Sequence, residues 1–272
     1  MKTNAAPAIK AKHPVIKSSF LDREVQLTVL LPHSGEQKPY PVLWLNDGQD
    51  IPSVKLPEII SALYSADAIQ QHYVVGIHAD ENRLQEYGTS YSADFKNRGA
   101  RAGLFGEFVV NELMPYIRSE FSISRARSKN VFAGWSMGAL SALDIVWNNP
   151  DLFSRVGVFS GSLWWRSRAY HRGYRDDKHR IIHQMIRHSE KREGLKFWFE
   201  CGTRDETADR NKNGLIDSID DTIDLIRELK LKGYTDNDIE LVLVKDGEHN
   251  QETWSSILPW FLQWAFGINK NP

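Results

Sequence analysis

The stretch that decides the fold is Lys129-Asn130-Val131-Phe132-Ala133-Gly134-Trp135-Ser136-Met137-Gly138-Ala139-Leu140. An apolar run ends in Gly-Trp-Ser-Met-Gly, and helix-forming residues continue from Ala139 to Trp147. Gly-x-Ser-x-Gly between a strand and a helix is the setting of a nucleophile elbow. A serine on so tight a turn takes an unfavourable backbone conformation, and its neighbours must be small for strand and helix to approach each other. Gly134 and Gly138 supply that room. The turn lifts the Ser136 hydroxyl clear of the sheet. The Met137 N–H, at the helix start, faces a developing oxyanion.

The flanking sequence alternates strand and helix patterns. Strands are expected at Arg23 to Leu31, Pro41 to Leu45, Tyr73 to Ile77, Arg155 to Phe159, Leu195 to Cys201 and Ile239 to Val244. Helices are expected at Leu56 to Ala66, Arg101 to Phe121 with Pro115 as a kink, Ile219 to Lys232 and Gln251 to Phe266. The long helix carries Leu104, Phe105, Phe108, Val109, Leu113 and Ile117 on one apolar stripe. Such alternation gives an α/β fold, a mostly parallel central sheet with helices on both faces. In such sheets chemistry gathers beyond the carboxyl ends of the strands.

Bulk properties narrow the function. The chain has 272 residues and a formal net charge of -1. That length suits one large domain, and the near-neutral charge gives no electrostatic case for nucleic acid or an anionic membrane. No apolar run approaches the roughly 20 residues of a membrane span. The lone Cys201 excludes an internal disulfide and reads as a buried small hydrophobe. Met1 to Lys17 has lysines but no apolar signal-peptide core. Residues 1–18 are expected to be a flexible tail and 19–268 a single domain. As written the chain is expected to be cytoplasmic, or periplasmic or secreted where a leader has been removed; oligomeric state is left open.

A serine hydroxyl needs a base to take its proton. Of the nine histidines, His249 lies after a strand end and a Gly-containing turn, just before the last helix. That places it on the rim that carries Ser136. The base needs a carboxylate to fix its tautomer. The strand Leu195 to Cys201 ends in Gly202-Thr203-Arg204-Asp205-Glu206, and Asp205 is the choice, with Glu206 its close competitor. The order Ser136, Asp205, His249 is that of α/β-hydrolases. A second oxyanion donor is expected from the turn Asp47-Gly48-Gln49, at the N–H of Gln49, with Gly48 letting the backbone near the substrate. Trp164 and Trp165, beyond Ser160-Gly161-Ser162, are candidates for lining a substrate pocket, and Trp254 is expected beneath His249.

Taken together these pieces resemble the esterase family that includes enterochelin esterases, S-formylglutathione hydrolase, the mycolyltransferase antigens and family 1 carbohydrate esterases. The matching residues are Trp44-Leu45-Asn46-Asp47-Gly48-Gln49, Glu112-Leu113-Met114-Pro115-Tyr116-Ile117, Gly134-Trp135-Ser136-Met137-Gly138, Phe159-Ser160-Gly161-Ser162, Cys201-Gly202-Thr203-Arg204-Asp205 and Gly247-Glu248-His249. The resemblance implies an α/β-hydrolase fold with no large cap. It supports Ser136, Asp205 and His249 as the triad and Gln49 and Met137 as oxyanion donors.

One further motif stands apart. Asp209-Arg210-Asn211-Lys212-Asn213-Gly214-Leu215-Ile216-Asp217-Ser218-Ile219-Asp220 follows the twelve-residue calcium-loop pattern. Asp209, Asn211, Asn213, Asp217 and Asp220 would offer side-chain oxygens and Leu215 its carbonyl, holding a structural calcium; a helix-capping polar turn is the alternative. His179 and His183 are four apart, but on a charged helix without a third ligand they read as a solvated face. The sequence therefore predicts a serine carboxylic-ester hydrolase with no organic cofactor. Its expected substrate is a small-molecule or carbohydrate ester, acetyl or feruloyl, with a siderophore esterase, an acyltransferase or a catalytically silent binding protein as alternatives.

Overall fold

The structure is a computed structural model that describes residues 8–33, 38–171 and 173–268. Its strands are β1 (Ala11–Lys12), β2 (Val15–Ser18), β3 (Arg23–Leu30), β4 (Val42–Asn46), β5 (Tyr73–Ile77), β6 (Asn130–Trp135), β7 (Arg155–Phe159), β8 (Lys196–Arg204) and β9 (Ile239–Glu248). Its helices are α1 (Leu56–Ser65), α2 (Arg83–Glu86), α3 (Ala102–Glu107), α4 (Met114–Glu120), α5 (Met137–Asn148), α6 (Asp176–His179), α7 (Ile181–His188), α8 (Asp217–Leu231) and α9 (Gln251–Phe266).

Every residue of β4 and β6 is buried, as strands covered on both faces require. The sheet runs β1-β3-β5-β4-β6-β7-β8-β9, with β2 also paired to β3. From β5 to β9 all pairings are parallel, while β3 lies antiparallel to β1, β2 and β5. The carboxyl ends of β4, β6, β7, β8 and β9 therefore open on one edge.

Two cores form, one per face. Leu140, Leu143 and Trp147 of α5 pack with Phe105, Ile182 and Leu225 on one side. Ile60 of α1 and Leu258, Phe261 and Leu262 of α9 pack with Trp135 and Phe159 on the other. Among the described residues no helix is long and apolar enough to cross a membrane.

The tail differs from expectation. Residues 1–7 lie outside the described part, but β1 and β2 are paired strands. Ser18 Oγ donates to Glu112 Oε2 at 2.6 Å, and the Ser19 N–H donates to Glu112 Oε1 at 2.8 Å. The physical reason is that the edge of β3 carries unpaired backbone groups, and backbone pairing needs no apolar side chain. The long helix holds as α3 and α4 joined by a π-type turn, Phe108–Leu113, just before Pro115. Leu104 leaves the apolar stripe and is 41 % exposed. His183 is buried rather than solvated: its Nε2 meets the Asp221 carbonyl at 2.9 Å.

Candidate active site

Ser136 has φ 57° and ψ −123°, a conformation L-residues rarely adopt. Such a residue costs on the order of 1–3 kcal/mol and persists only where its surroundings fix it. Here the Ser136 N–H donates to the Phe159 carbonyl at 2.9 Å, and the Ser162 N–H donates to the Ser136 carbonyl at 3.1 Å. A Cβ at Gly134 would lie 2.6 Å from the Gly138 carbonyl carbon; one at Gly138 would lie 2.5 Å from Asp47 Oδ2. The first glycine lets strand and helix meet, and the second makes space for a carboxylate. Ser136 Oγ lies 3.5 Å from Ser162 Oγ. Met137 opens α5, where its N–H has no partner within the helix.

The turn after β4 is braced from three sides. Arg83 grips Asp47 with two bonds, Nε to Oδ1 at 2.7 Å and Nη2 to Oδ2 at 2.8 Å. The Asp47 N–H donates to Tyr87 Oη at 3.2 Å, and Asn46 Nδ2 donates to the Gly138 carbonyl at 2.8 Å. Gln49 Oε1 accepts from the Ala79 N–H at 3.0 Å. A Cβ at Gly48 would collide with the backbone of Gly76, so this glycine lets the turn pack on β5.

His249 follows β9 directly. Its ring stands edge-on to Trp254, centroids 5.4 Å apart, and Trp254 stacks on Trp135 at 5.5 Å. Trp254 thus packs against the imidazole as the sequence suggests, and the stack ties it to the residue before Ser136. Asp205 turns back after β8, its N–H donating to the Gly202 carbonyl at 3.2 Å. Both carboxyl oxygens are buried without a hydrogen-bond partner among the described residues. Burial pushes the Asp205 carboxyl up, while Ser160 and the charge of His249 pull it down. Burial likewise lowers His249; Asp205 opposes this and Arg83 adds to it. The net shift is downward, which favours the neutral imidazole, the form a general base needs. Glu206 is turned elsewhere, towards the Ser218 backbone and the Asp217 charge.

The two tryptophans part company. Trp165 is fully buried, with Gly88 and Gly99 against its ring, so it belongs to the core and not to a pocket wall. The small glycines draw the larger ring inward. Trp164 lines an open groove of about 300 Å³ with Phe95, Lys96, Arg98, Arg166, Tyr170 and Glu206. The guanidinium of Arg98 lies 5.1 Å from the Trp164 ring centre, and that of Arg166 lies 3.6 Å from the Tyr170 ring. Asp94 pins Arg98 at 2.8 and 2.5 Å. The sequence left these arginines unread, because only folding brings 95–98 beside 164–170.

The 209–220 loop converges in part. Asp220 accepts from Asn211 Nδ2 at 2.7 Å and Asn213 Nδ2 at 2.9 Å, while Asp209 accepts from the N–H groups of Asn213 and Gly214. Asp217 instead faces Arg210 at 3.2 Å, and the Leu215 N–H donates to Asn213 Oδ1. Among the described residues no three His, Cys, Asp or Glu side chains gather as metal ligands.

The chain is similar to known esterases. The family model described as putative esterase matches residues 18–264. An iron(III) enterobactin esterase of Escherichia coli K12 is 26 % identical over 212 residues, covering 77 % of this chain and 49 % of its own. The enterochelin esterase of Shigella flexneri superposes with TM-score 0.75 at 24 % identity, over 96 % of this chain and 59 % of that one. A CE1 ferulic acid esterase of Anaeromyces mucronatus superposes with TM-score 0.71 at 18 % identity, over 97 % and 93 %. The chain thus spans only about half to six-tenths of the two siderophore esterases.

Proposed function

Because the chain belongs to the putative esterase family, we propose that it is a serine hydrolase of carboxylic esters. Ser136 Oγ attacks the ester carbonyl and His249 takes its proton. Asp205 orients the imidazole and stabilises its charged form. The N–H groups of Met137 and Gln49 receive the oxyanion. His249 then protonates the leaving alcohol, and a water molecule, activated by the same imidazole, releases the acyl group. The observation that carries this reading is the strained turn at Ser136, held by backbone bonds on the strand-end rim where His249 and Asp205 act on each other. A silent binding protein has no use for that strain.

The groove beside Trp164 favours an aromatic acyl group over acetyl. Trp164 lies two residues beyond Ser162 and Glu206 lies next to Asp205 in sequence, and on that ground we assign the groove to the acyl group. Its rings and guanidinium groups suit a planar phenolic acid. Phenolic rings appear in the ligands named for the relatives, ferulic acid for one and 2,3-dihydroxy-N-benzoyl-serine for the other. We favour esters whose acyl side carries a phenolic ring, either a hydroxycinnamic acid or an N-(dihydroxybenzoyl) amino acid.

A panel of acetyl, feruloyl and N-(dihydroxybenzoyl)serine esters tests both the serine mechanism and the aromatic preference. The expected kcat/KM for aromatic acyl groups exceeds that for acetyl by at least about tenfold, and Ser136→Ala abolishes all of them. Equal rates on all acyl groups would remove the aromatic preference. Undiminished turnover by Ser136→Ala would remove the serine mechanism.

A further inference from the structure

Below Asp205 lies a carboxyl that the chemistry above does not use. Glu200, inside β8, is fully buried, and its Oε1 has no partner among the described residues. Strand alternation puts Glu200 and Gly202 on one face of β8. A Cβ at Gly202 would lie 2.7 Å from Asp205 Oδ1, so the Asp205 carboxyl folds back over that same face. Ser160 joins the two acids. Its N–H donates to the Glu200 carbonyl at 2.8 Å, and its Oγ lies 3.4 Å from Glu200 Oε2. The same Oγ accepts from Trp254 Nε1 at 3.0 Å, and Ser160 lowers the Asp205 carboxyl although no hydrogen bond joins the two as they stand. Ser160 has φ 44°, a second strained serine at this rim.

The hydrogens can be counted. A hydroxyl has one hydrogen and two acceptor sites, while an indole N–H only donates. Trp254 therefore takes one acceptor site of Ser160. An ionised Glu200 would claim the only Ser160 hydrogen, leaving the Asp205 carboxylate without it and two buried anions side by side. A protonated Glu200 donates into the second acceptor site instead. The Ser160 hydrogen is then free to turn to Asp205, whose carboxyl oxygens otherwise have no hydrogen-bond partner among the described residues.

We infer that Glu200 is a positioning residue, held as a carboxylic acid, that frees the Ser160 hydroxyl to hold Asp205 in place for His249. The inference rests on Asp205 being the acid of the proposed triad. Burial, together with the charge of Asp205, pushes the Glu200 carboxyl up to about 8. The proton stays at neutral pH and leaves just above it. Asp205 is the charged group acting on Glu200, with His249 beyond it. The neighbouring Cys201 thiol is itself pushed far up by burial. The facing residues on β7 and β9 are Phe159 and Val242, and α9 contributes the neutral Trp254 through Ser160.

The test is the pH profile of kcat on p-nitrophenyl acetate for the full chain, Glu200→Gln, Glu200→Leu and Asp205→Asn, each checked by thermal melting. The unsubstituted protein should lose kcat above about pH 8. Glu200→Gln donates to Ser160 without titrating; it should keep kcat within about twofold at pH 7 and lose the alkaline fall. Glu200→Leu cannot donate, and should lower kcat at least about tenfold with KM within about twofold. An unchanged alkaline fall in Glu200→Gln, no fall in the unsubstituted protein, or full kcat in Glu200→Leu overturns the inference. If Glu200→Leu does not fold, the Glu200→Gln profile decides alone. Full kcat in Asp205→Asn would sink the triad reading itself; loss of kcat there, with an unchanged fall in Glu200→Gln, sinks the role of Glu200 only.

Discussion

At the scale of single residues, the proposed chemistry depends on His249 staying neutral until Ser136 gives up its proton. Burial and Arg83 lower its pKa and Asp205 raises it, with the net effect downward. The unprotonated form is the active one, so kcat/KM should rise with pH through a value below the ordinary imidazole pKa of about 6.5. His249→Ala should lower kcat by roughly 10³-fold or more with little change in melting temperature. Near-normal turnover in that variant, or an acid limb well above pH 6.5, contradicts the assignment. Ser136 and His249 are legible in the sequence because each is marked locally, by two glycines or by a strand end. Glu200 is not, since Phe197-Trp198-Phe199-Glu200-Cys201 reads as any buried strand. Its meaning comes from Ser160 and Asp205, which lie beside it only in the folded chain.

At the scale of elements, the elbow is a strand and a helix held together by the absence of two side chains. Gly138→Ala forces a methyl against Asp47 and Asn46, whose bonds to Arg83 and to the Gly138 carbonyl leave little slack. The expected cost is about 1–3 kcal/mol in urea unfolding, with loss of esterase activity; an active variant of unchanged stability contradicts this packing account. The 209–220 loop yields a second test. With calcium bound by Asp209, Asn211, Asn213 and Asp220, millimolar calcium should raise the melting temperature and EGTA should reverse the rise. A melting temperature indifferent to both leaves the loop a polar cap on α8. Strands β5 and β7 and helix α9 fall where their sequence patterns place them, because full burial or a capped amphipathic run fixes their ends. Pro259 sits inside α9 without ending it. Strands β1 and β2 escaped notice because hydrogen bonds to the edge of β3, rather than apolar side chains, hold them.

At the scale of the whole molecule, those edge strands join the N-terminal segment to the body of the sheet, where Ser18 and Ser19 meet Glu112. Deleting residues 1–18 should therefore lower the melting temperature by about 3–8 °C, the shift expected for a loss of about 2 kcal/mol in a chain of this size; an unchanged value would return the segment to a loose tail. The larger consequence of the topology is convergence. Parallel strands β4, β6, β8 and β9 end on one edge, so Gln49, Ser136, Asp205 and His249, far apart in sequence, come from neighbouring strand ends. That architecture was readable from the alternation of strand and helix, whereas the Trp164 groove was not, because its walls come from loops with no periodic pattern. The most direct measurement is covalent labelling with a fluorophosphonate, the modified residue being located by mass spectrometry. We predict one adduct, on Ser136, absent from Ser136→Ala and formed far more slowly by His249→Ala. An ester-hydrolysing protein that carries its adduct elsewhere, or carries none, would contradict the account.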